Sequence, residues 1–161
     1  MTNKTLVDNF NPELDLILER NVATPIELVW AAWTEPKHLM HWFTPAPWKT
    51  IECDIDLRPG GLFRTVMLSP ENTKHENIGS YLEIVPLKKL VFTDSFLPDY
   101  RPVESSFFSA ILLLERDGEG TQYTVIGRHK NIEDCRKHNE MGFHPGWNAA
   151  LDQLVEYMKT K

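Results

Sequence analysis

The feature that most constrains this chain is a change of hydrophobic period between its middle and its C-terminus. From residue 50 to residue 130, short segments alternate apolar and polar residues, as where Ile51, Cys53 and Ile55 fall on one face of residues 50–57. Near the C-terminus, apolar residues instead recur at helical spacing: Trp147, Leu151, Leu154 and Met158. The pattern predicts several half-buried strands followed by one long amphipathic helix.

Seven segments have the pattern of strands and are bounded by Pro or Gly signals. They are residues 13–21, 50–57, 62–68, 77–85, 89–96, 107–116 and 121–130. The connections at 86–88 and 117–120 are short enough for hairpins, which favours an antiparallel meander. The segment 97–106 is longer and contains two prolines, so we interpret it as a mobile flap beside a cavity.

Two further helices are predicted between the first two strands. Thr24 to Glu27 has the spacing of a capping box with Pro25 at the first helical position, so a helix is expected to start there and to end before Pro36. A second, short helix is expected over residues 39–43. Helices separated from an antiparallel sheet indicate an α+β fold. With 161 residues we expect one domain, residues 1–161, with its core at about 13–159.

Charge and composition indicate which classes of binding partner are disfavoured. The chain has 23 acidic and 17 basic residues and a formal net charge of -6, which disfavours nucleic acid. The N-terminal segment lacks the apolar stretch of a signal peptide, and no aliphatic run is long enough to cross a bilayer. Cys53 and Cys135 form neither a CxxC motif nor a disulfide framework. We therefore expect a cytoplasmic protein with free thiols and no membrane insertion.

A curved sheet that grips one helix is not fully covered by that helix, so an apolar space is expected at one end. The residues predicted to line it are aromatic or contain sulfur: Trp42, Phe43, Phe63, Met67, Tyr81, Phe92, Phe108 and Trp147. Taken one at a time, each is better explained as an ordinary core residue, and only the set as a whole indicates a cavity.

Polar groups are expected to orient a ligand or to act as acid and base there. The candidates are Asp54, Asp94, His129 and His144, of which the last three enter our predicted ligand site and His144, beside the start of the last helix, is the strongest. The alternative is that they make hydrogen bonds on the surface or behind the cavity wall.

Signals for metal, cofactor or covalent chemistry are weak. His38 with His41 and Cys135 with His138 each have a spacing of three, but neither pair matches a zinc pattern. The chain has no P-loop, no GxGxxG motif and no GxSxG elbow. We predict no metal, no cofactor and no catalytic residue.

Four ordered segments together resemble one family. They are residues 23–36 (ATPIELVWAAWTEP), 56–61 (DLRPGG), 79–85 (GSYLEIV) and 142–154 (GFHPGWNAALDQL). The chain resembles the branch of the START-like (SRPBCC) superfamily named after an activator of a heat-shock chaperone ATPase. The resemblance implies a helix-grip fold whose cavity, between sheet and C-terminal helix, binds lipids, sterols, polyketides or other hydrophobic molecules.

Three functions follow from this resemblance as expectations. The first is binding of a small hydrophobic molecule. The second is a co-chaperone-like interaction with a heat-shock chaperone ATPase, which requires an exposed patch outside the cavity. The third is a cyclase-like or aromatase-like activity, which requires acid and base groups that meet inside the cavity. A homodimer through exposed parts of Trp42 and Trp48 is a further possibility.

Overall fold

The fold was obtained as a computed structural model that describes residues 3–161. Seven strands form one antiparallel sheet, and the longest helix, α5 (Phe143–Met158), packs on its inner face. The strands lie across the sheet in the order β1 (Asp15–Val22), β9 (Gly120–Arg128), β8 (Ser109–Asp117), β5 (Lys89–Thr93), β4 (Lys74–Val85), β3 (Leu62–Leu68) and β2 (Lys49–Ile55). This confirms the predicted α+β helix-grip architecture. In chain order the elements are α1 (Asn3–Asp8), β1 (Asp15–Val22), α2 (Ile26–Thr34), α3 (Pro36–Leu39), β2 (Lys49–Ile55), β3 (Leu62–Leu68), β4 (Lys74–Val85), β5 (Lys89–Thr93), β6 (Phe96–Leu97), a 3₁₀ turn (Pro98–Tyr100), β7 (Arg101–Pro102), β8 (Ser109–Asp117), β9 (Gly120–Arg128), α4 (Ile132–Glu140) and α5 (Phe143–Met158).

The inner face of the sheet carries the main core. Leu16 and Leu18 of β1, Leu112 and Leu114 of β8, and Val125 of β9 are all buried against α2 and α5. Their alternate spacing along each strand puts them on the same face of the sheet. The period-2 pattern in the sequence therefore selects which face receives the helices.

The outer face of the sheet is apolar and covered at one end and charged at the other. At the β1–β9–β8 end, Leu6 and Val7 of α1 pack on a small apolar cluster around Ile111 and Ile126. At the other end, Arg64 of β3 forms ion pairs with Glu52, Asp54 and Glu76 of the adjacent strands. Asp54 is thus on the outside, so its predicted convergence on a cavity is wrong.

The short helices depart from their predicted capping. α2 has Pro25 at its N-cap, and proline has no polar side chain with which to cap the helix. The Glu27 carboxylate pairs with Arg116 of β8 instead of closing a capping box. The second short helix covers Pro36–Leu39, earlier than the predicted 39–43, since proline favours the first turn. Trp42 and Phe43 follow in a hydrogen-bonded turn.

Helix α4 was not predicted, because its sequence is mostly polar. Asn131 caps it by accepting a hydrogen bond from the backbone N–H of Asp134 at 2.8 Å. Only Cys135 and His138 are buried, three residues apart on one face. The spacing considered above as a possible metal pair is therefore the inward face of a helix.

The segment 97–106 contains the two-residue strand β7, which pairs with β6, so β5 ends at Thr93 rather than at 96. The Asp99 N–H donates to the Gly60 carbonyl at 2.8 Å, and the Asp99 carboxylate pairs with Arg58. A side chain on Gly60 would meet the Tyr100 ring at 2.8 Å. The segment is thus attached to the β2–β3 turn.

Two other expectations change. A register shift between Thr50 and Glu52 interrupts the alternation in β2, so Thr50 is buried and Ile51 is not a simple member of the inward set. Trp42 is only 2% exposed, which excludes it from a dimer interface, whereas Trp48 is half-buried against His75. Within residues 3–161, no helix has the length and apolar character required to span a membrane.

We predict that Leu151→Ala destabilises the protein by about 2–5 kcal/mol, since the side chain is fully buried between α5 and the sheet and its loss leaves a cavity. Ile132→Ala, at a position 45% exposed, is the matched control and is expected to stay within about 0.5 kcal/mol. Urea unfolding followed by circular dichroism measures both. Equal losses in the two variants would contradict the assigned packing of α5.

Candidate ligand-binding cavity

Two neighbouring apolar compartments lie between the sheet and the helices. The first, of about 290 Å³, is the helix-side compartment, and the second, of about 300 Å³, is the sheet-side compartment. Phe43, Met67 and Phe108 border both and separate them. The other residues of the helix-side compartment are Trp42, Pro45, His138, Met141, Gly142, Phe143, Gly146, Trp147 and Ala150. The other residues of the sheet-side compartment are Phe63, Thr65, Asn77, Ile78, Gly79, Phe92, Thr93, Asp94 and Phe107.

The wall of both compartments is built on Trp33, which is fully buried in α2. Its ring lies 5.0 Å from Trp42, 5.7 Å from Phe43 and 6.0 Å from Trp147, measured between ring centroids. Its indole N–H donates to the Tyr123 hydroxyl at 3.0 Å, so the one polar atom of the ring is satisfied. The aromatic wall therefore rests on α2, one of the helices that the sequence predicts.

The loop that carries Trp42 and Phe43 is held by hydrogen bonds from two helices. The Trp42 indole N–H donates to the Ala32 carbonyl at 3.0 Å. The Gln153 amide of α5 donates to the carbonyls of Trp42 and Thr44, both at 2.9 Å, and accepts from the Ala46 N–H. These bonds fix the wall without placing a charge in it.

Asp94 positions the opposite wall. Its carboxylate accepts from the Phe107 N–H at 2.8 Å and from the Phe108 N–H at 3.3 Å. These two residues precede β8 and have left the sheet ladder, so the carboxylate replaces the backbone acceptor that they lack. Asp94 thus acts on the cavity through the two phenylalanines that it orients.

A buried histidine pair lies behind the helix-side compartment. The Nε2 atom of His129 is 2.8 Å from Nδ1 of His138, and Nδ1 of His129 is 2.8 Å from the Leu14 carbonyl oxygen. The His138 ring packs on Phe107, Phe108 and Phe143 with centroid distances of 4.9, 4.7 and 5.1 Å. Burial, and secondarily the nearby His129, lower the pKa of His138 to about 4.

Seven of the eleven predicted ligand residues border a compartment with an apolar side chain, and an eighth, Asp94, borders the sheet-side compartment. The seven are Trp42, Phe43, Phe63, Met67, Phe92, Phe108 and Trp147. Tyr81, His129 and His144 border neither compartment. His144 directs Nε2–H to the Ile17 carbonyl at 3.1 Å and so connects α5 to β1, contrary to the expectation that it would be the main polar contact.

Tyr81 lies fully buried behind Phe63, on which its ring stacks at 5.2 Å. Its hydroxyl is the one buried side-chain polar atom in residues 3–161 without a hydrogen-bond partner. Burial, more than the nearby Cys53, raises the pKa of Tyr81, and burial also raises the pKa of the Cys53 thiol to about 11. Both groups are therefore neutral and serve as packing surface.

His138 is the polar residue of the helix-side compartment that the sequence reasoning missed as a ligand contact, because α4 was not recognised as a helix. Phe107, Phe143, Gly146 and Ala150 were also missed. The available signal was Asn131 as an N-cap followed by Glu133 and Asp134, a charge pattern typical of a helix start. A helix from Ile132 would have placed Cys135 and His138 on one inward face.

Within residues 3–161, no hydrogen bond joins any two of Asp94, His129 and His144. The acid and base groups that the cyclase-like hypothesis requires therefore do not meet. Across residues 3–161 there is also no group of three or more potential metal ligands. His38 hydrogen-bonds the Tyr157 hydroxyl at 2.9 Å and His41 stacks on the same ring.

Two larger concavities lie elsewhere in the fold. One, of about 450 Å³, runs along β1, β9 and β8 beside α1 and has charged walls that include Glu19, Glu115 and Arg116. Another, of about 630 Å³, lies beside α3 and β2 and includes Lys37 and Lys49. Apolar ligands prefer concave apolar walls with few polar groups, so the two smaller, more apolar compartments are the better candidates.

Comparison with known proteins agrees with this architecture. The family described as "Activator of Hsp90 ATPase homolog 1-like protein" matches residues 23–159. The chain belongs to this family. No curated protein matches the chain.

Solved structures give the same result for the fold. A protein from Nitrosomonas europaea is 42% identical, with a TM-score of 0.91 over 94% of this chain and 97% of that one. An Arthrobacter aurescens protein has 24% identity and a TM-score of 0.80, covering 95% of this chain and 91% of that one. An AHSA1-like protein from Aeromonas hydrophila has 19% identity and a TM-score of 0.71, with coverages of 91% and 93%. The last two likenesses show the fold alone.

The lowered pKa of His138 makes stability depend on pH. In the unfolded chain, His138 binds a proton with its ordinary pKa of 6.5. In the folded chain, the same group binds a proton only with a pKa of about 4. We therefore predict that the contribution of this group is complete above pH 6.5 and declines by about 3 kcal/mol as the pH falls from 6.5 to 4. Urea unfolding across this range compares the wild type with His138→Asn. Parallel pH profiles would contradict the prediction.

Proposed function

We propose that the protein binds a small hydrophobic molecule in the helix-side and sheet-side compartments. The observation that supports this is the lining itself. Both compartments are bordered mainly by aromatic and aliphatic side chains, and the only charged side chain among them, Asp94, has its carboxylate occupied by two backbone N–H groups. Water in such a space finds few hydrogen-bond partners, so an apolar molecule is the favoured occupant.

The two compartments are adjacent, and the residues between them are adaptable. Met67 is unbranched and can change rotamer, and Phe43 and Phe108 are only partly buried. Each compartment is near the lower end of the size range for small-molecule pockets. We expect that movement of the Met67 side chain joins the two compartments. The proposed ligands therefore range from molecules with one or two aromatic rings to molecules with a longer, lipid-like chain.

The rims of the cavity are accessible. Met141 is 67% exposed at the edge of the helix-side compartment, and Ile78 is 40% exposed at the edge of the sheet-side compartment. Exposed apolar residues at the mouth of an apolar space are typical of ligand entry. A co-chaperone-like role would use external surface instead, and cavity substitutions would leave it unchanged.

Gly146 offers a direct test because it borders the helix-side compartment and an added Cβ there meets no atom within 4 Å. We predict that Gly146→Phe fills this compartment and weakens binding of the neutral fluorescent probe N-phenyl-1-naphthylamine at least tenfold, measured by titration. Gly146→Ala, the matched control, adds only a methyl group and is expected to keep the affinity while stabilising α5 by up to about 1 kcal/mol.

A thermal-shift screen with fatty acids, sterols and aromatic polyketides then identifies the ligand class, because a molecule that binds only the folded state raises Tm. The expected result is a rise in Tm for wild type and Gly146→Ala and a smaller rise for Gly146→Phe. The proposal fails if no apolar probe binds the wild type, or if Gly146→Phe and wild type bind equally.

A further inference from the structure

The histidine pair has a defined arrangement of protons. A carbonyl oxygen only accepts hydrogen bonds, so the contact with Leu14 requires His129 to carry its proton on Nδ1. In neutral His129 the Nε2 atom is then an acceptor, and its bond partner, Nδ1 of His138, must be the donor. Neutral His138 therefore has an unprotonated Nε2 with a free lone pair.

That lone pair has no protein partner. Nδ1 of His138 is occupied by His129, and Nε2 has no hydrogen-bond partner among residues 3–161, although, unlike the Tyr81 hydroxyl, it is not completely buried. The residue is only 9% exposed, yet it borders the helix-side compartment. Its ring is packed between Phe107, Phe108 and Phe143, so no other strong hydrogen-bonding group is in contact with it on those sides.

The lowered pKa of His138 is consistent with the neutral arrangement, because burial opposes its charged form. Gly127 helps to hold the pair in place. A Cβ at Gly127 would lie 3.3 Å from the Phe143 ring and 3.7 Å from the His129 ring, so the absence of a side chain lets these rings approach β9. The acceptor is thus fixed by α4, β9 and the start of α5.

We infer that the cavity selects an apolar molecule that carries one hydrogen-bond donor, an alcohol or phenol hydroxyl, which donates to Nε2 of His138. This inference rests on the proposed function and specifies its ligand class. An apolar ligand without a donor leaves the lone pair unpartnered, and burying a polar atom without a partner is unfavourable. A ligand with only a carbonyl or carboxylate group would place the lone pairs of its oxygen against the lone pair of Nε2, which is repulsive.

The test uses three two-ring probes, naphthalene, 2-naphthol and 2-methoxynaphthalene, whose affinities are measured by isothermal titration calorimetry at pH 7.5. The last two differ in the donor and one methyl group. We expect wild type to bind 2-naphthol about tenfold more tightly than 2-methoxynaphthalene, the ratio expected for one added hydrogen bond.

Two variants of His138 separate the acceptor from packing. His138→Asn keeps an amide donor near the Nδ1 position for His129 and removes Nε2, so the preference for 2-naphthol is expected to disappear while naphthalene affinity changes little. His138→Gln carries its amide oxygen to the position of Nε2 and is expected to recover the preference. Phe108→Leu, the packing control, weakens all three probes alike.

Each outcome is decisive. Equal affinity of the wild type for 2-naphthol and 2-methoxynaphthalene, with naphthalene bound, overturns the inference and leaves the proposed function intact. A preference for 2-naphthol that persists in His138→Asn overturns it as well, because another group then accepts the hydroxyl. Failure of all three probes to bind overturns both the inference and the proposed function.

Discussion

The burial of Trp33 is the interaction on which most of this structure depends. Its ring touches side chains from the turn after α3, from β5 and from α5, and its N–H reaches Tyr123 on β9. A buried indole without a hydrogen-bond partner is unfavourable, so the bond to Tyr123 sets the depth at which α2 rests on the sheet. Because Trp42, Phe43 and Trp147 all pack on this ring, the position of α2 also sets the position of the cavity wall.

The cavity follows from a mismatch of areas. One helix of 16 residues covers part of a seven-stranded sheet, and α2 covers another part near β8 and β9. The remaining inner surface, around β3 and β4, is shielded in part by the loop that carries Phe43. The Phe43 ring meets Phe63 of β3 edge to face at a centroid distance of 5.8 Å, and Phe63 meets Phe92 of β5 in the same way at 5.0 Å. Rings in such arrangements do not fill space as completely as interdigitated aliphatic chains, so compartments remain between them.

Much of the fold is predictable because its signals are local. Period-2 alternation predicts every strand of the main sheet, and helical spacing from Trp147 predicts α5, although the helix begins at Phe143. The errors arise where tertiary contacts override a local pattern: Glu27 pairs with Arg116 across the sheet, and a bulge turns Thr50 inward. In the site, residue type predicts the aromatic walls. The orientations of the His129 and His144 rings depend instead on which backbone carbonyl lies nearest in the folded chain, and the sequence alone does not show this.

Helix α4 illustrates why polar segments carry the specific part of such a site. An apolar helix would seal the compartment with side chains that cannot discriminate among apolar ligands. α4 instead buries only two side chains, and the hydrogen bond that its N-cap residue Asn131 accepts from the Asp134 N–H, not hydrophobic packing, fixes where it starts. His138 therefore lies in an apolar wall although the sequence of its helix is as polar as that of a loop. The aromatic residues set the shape and size of the two compartments, and His138 adds a hydrogen-bonding group to the wall of the helix-side compartment.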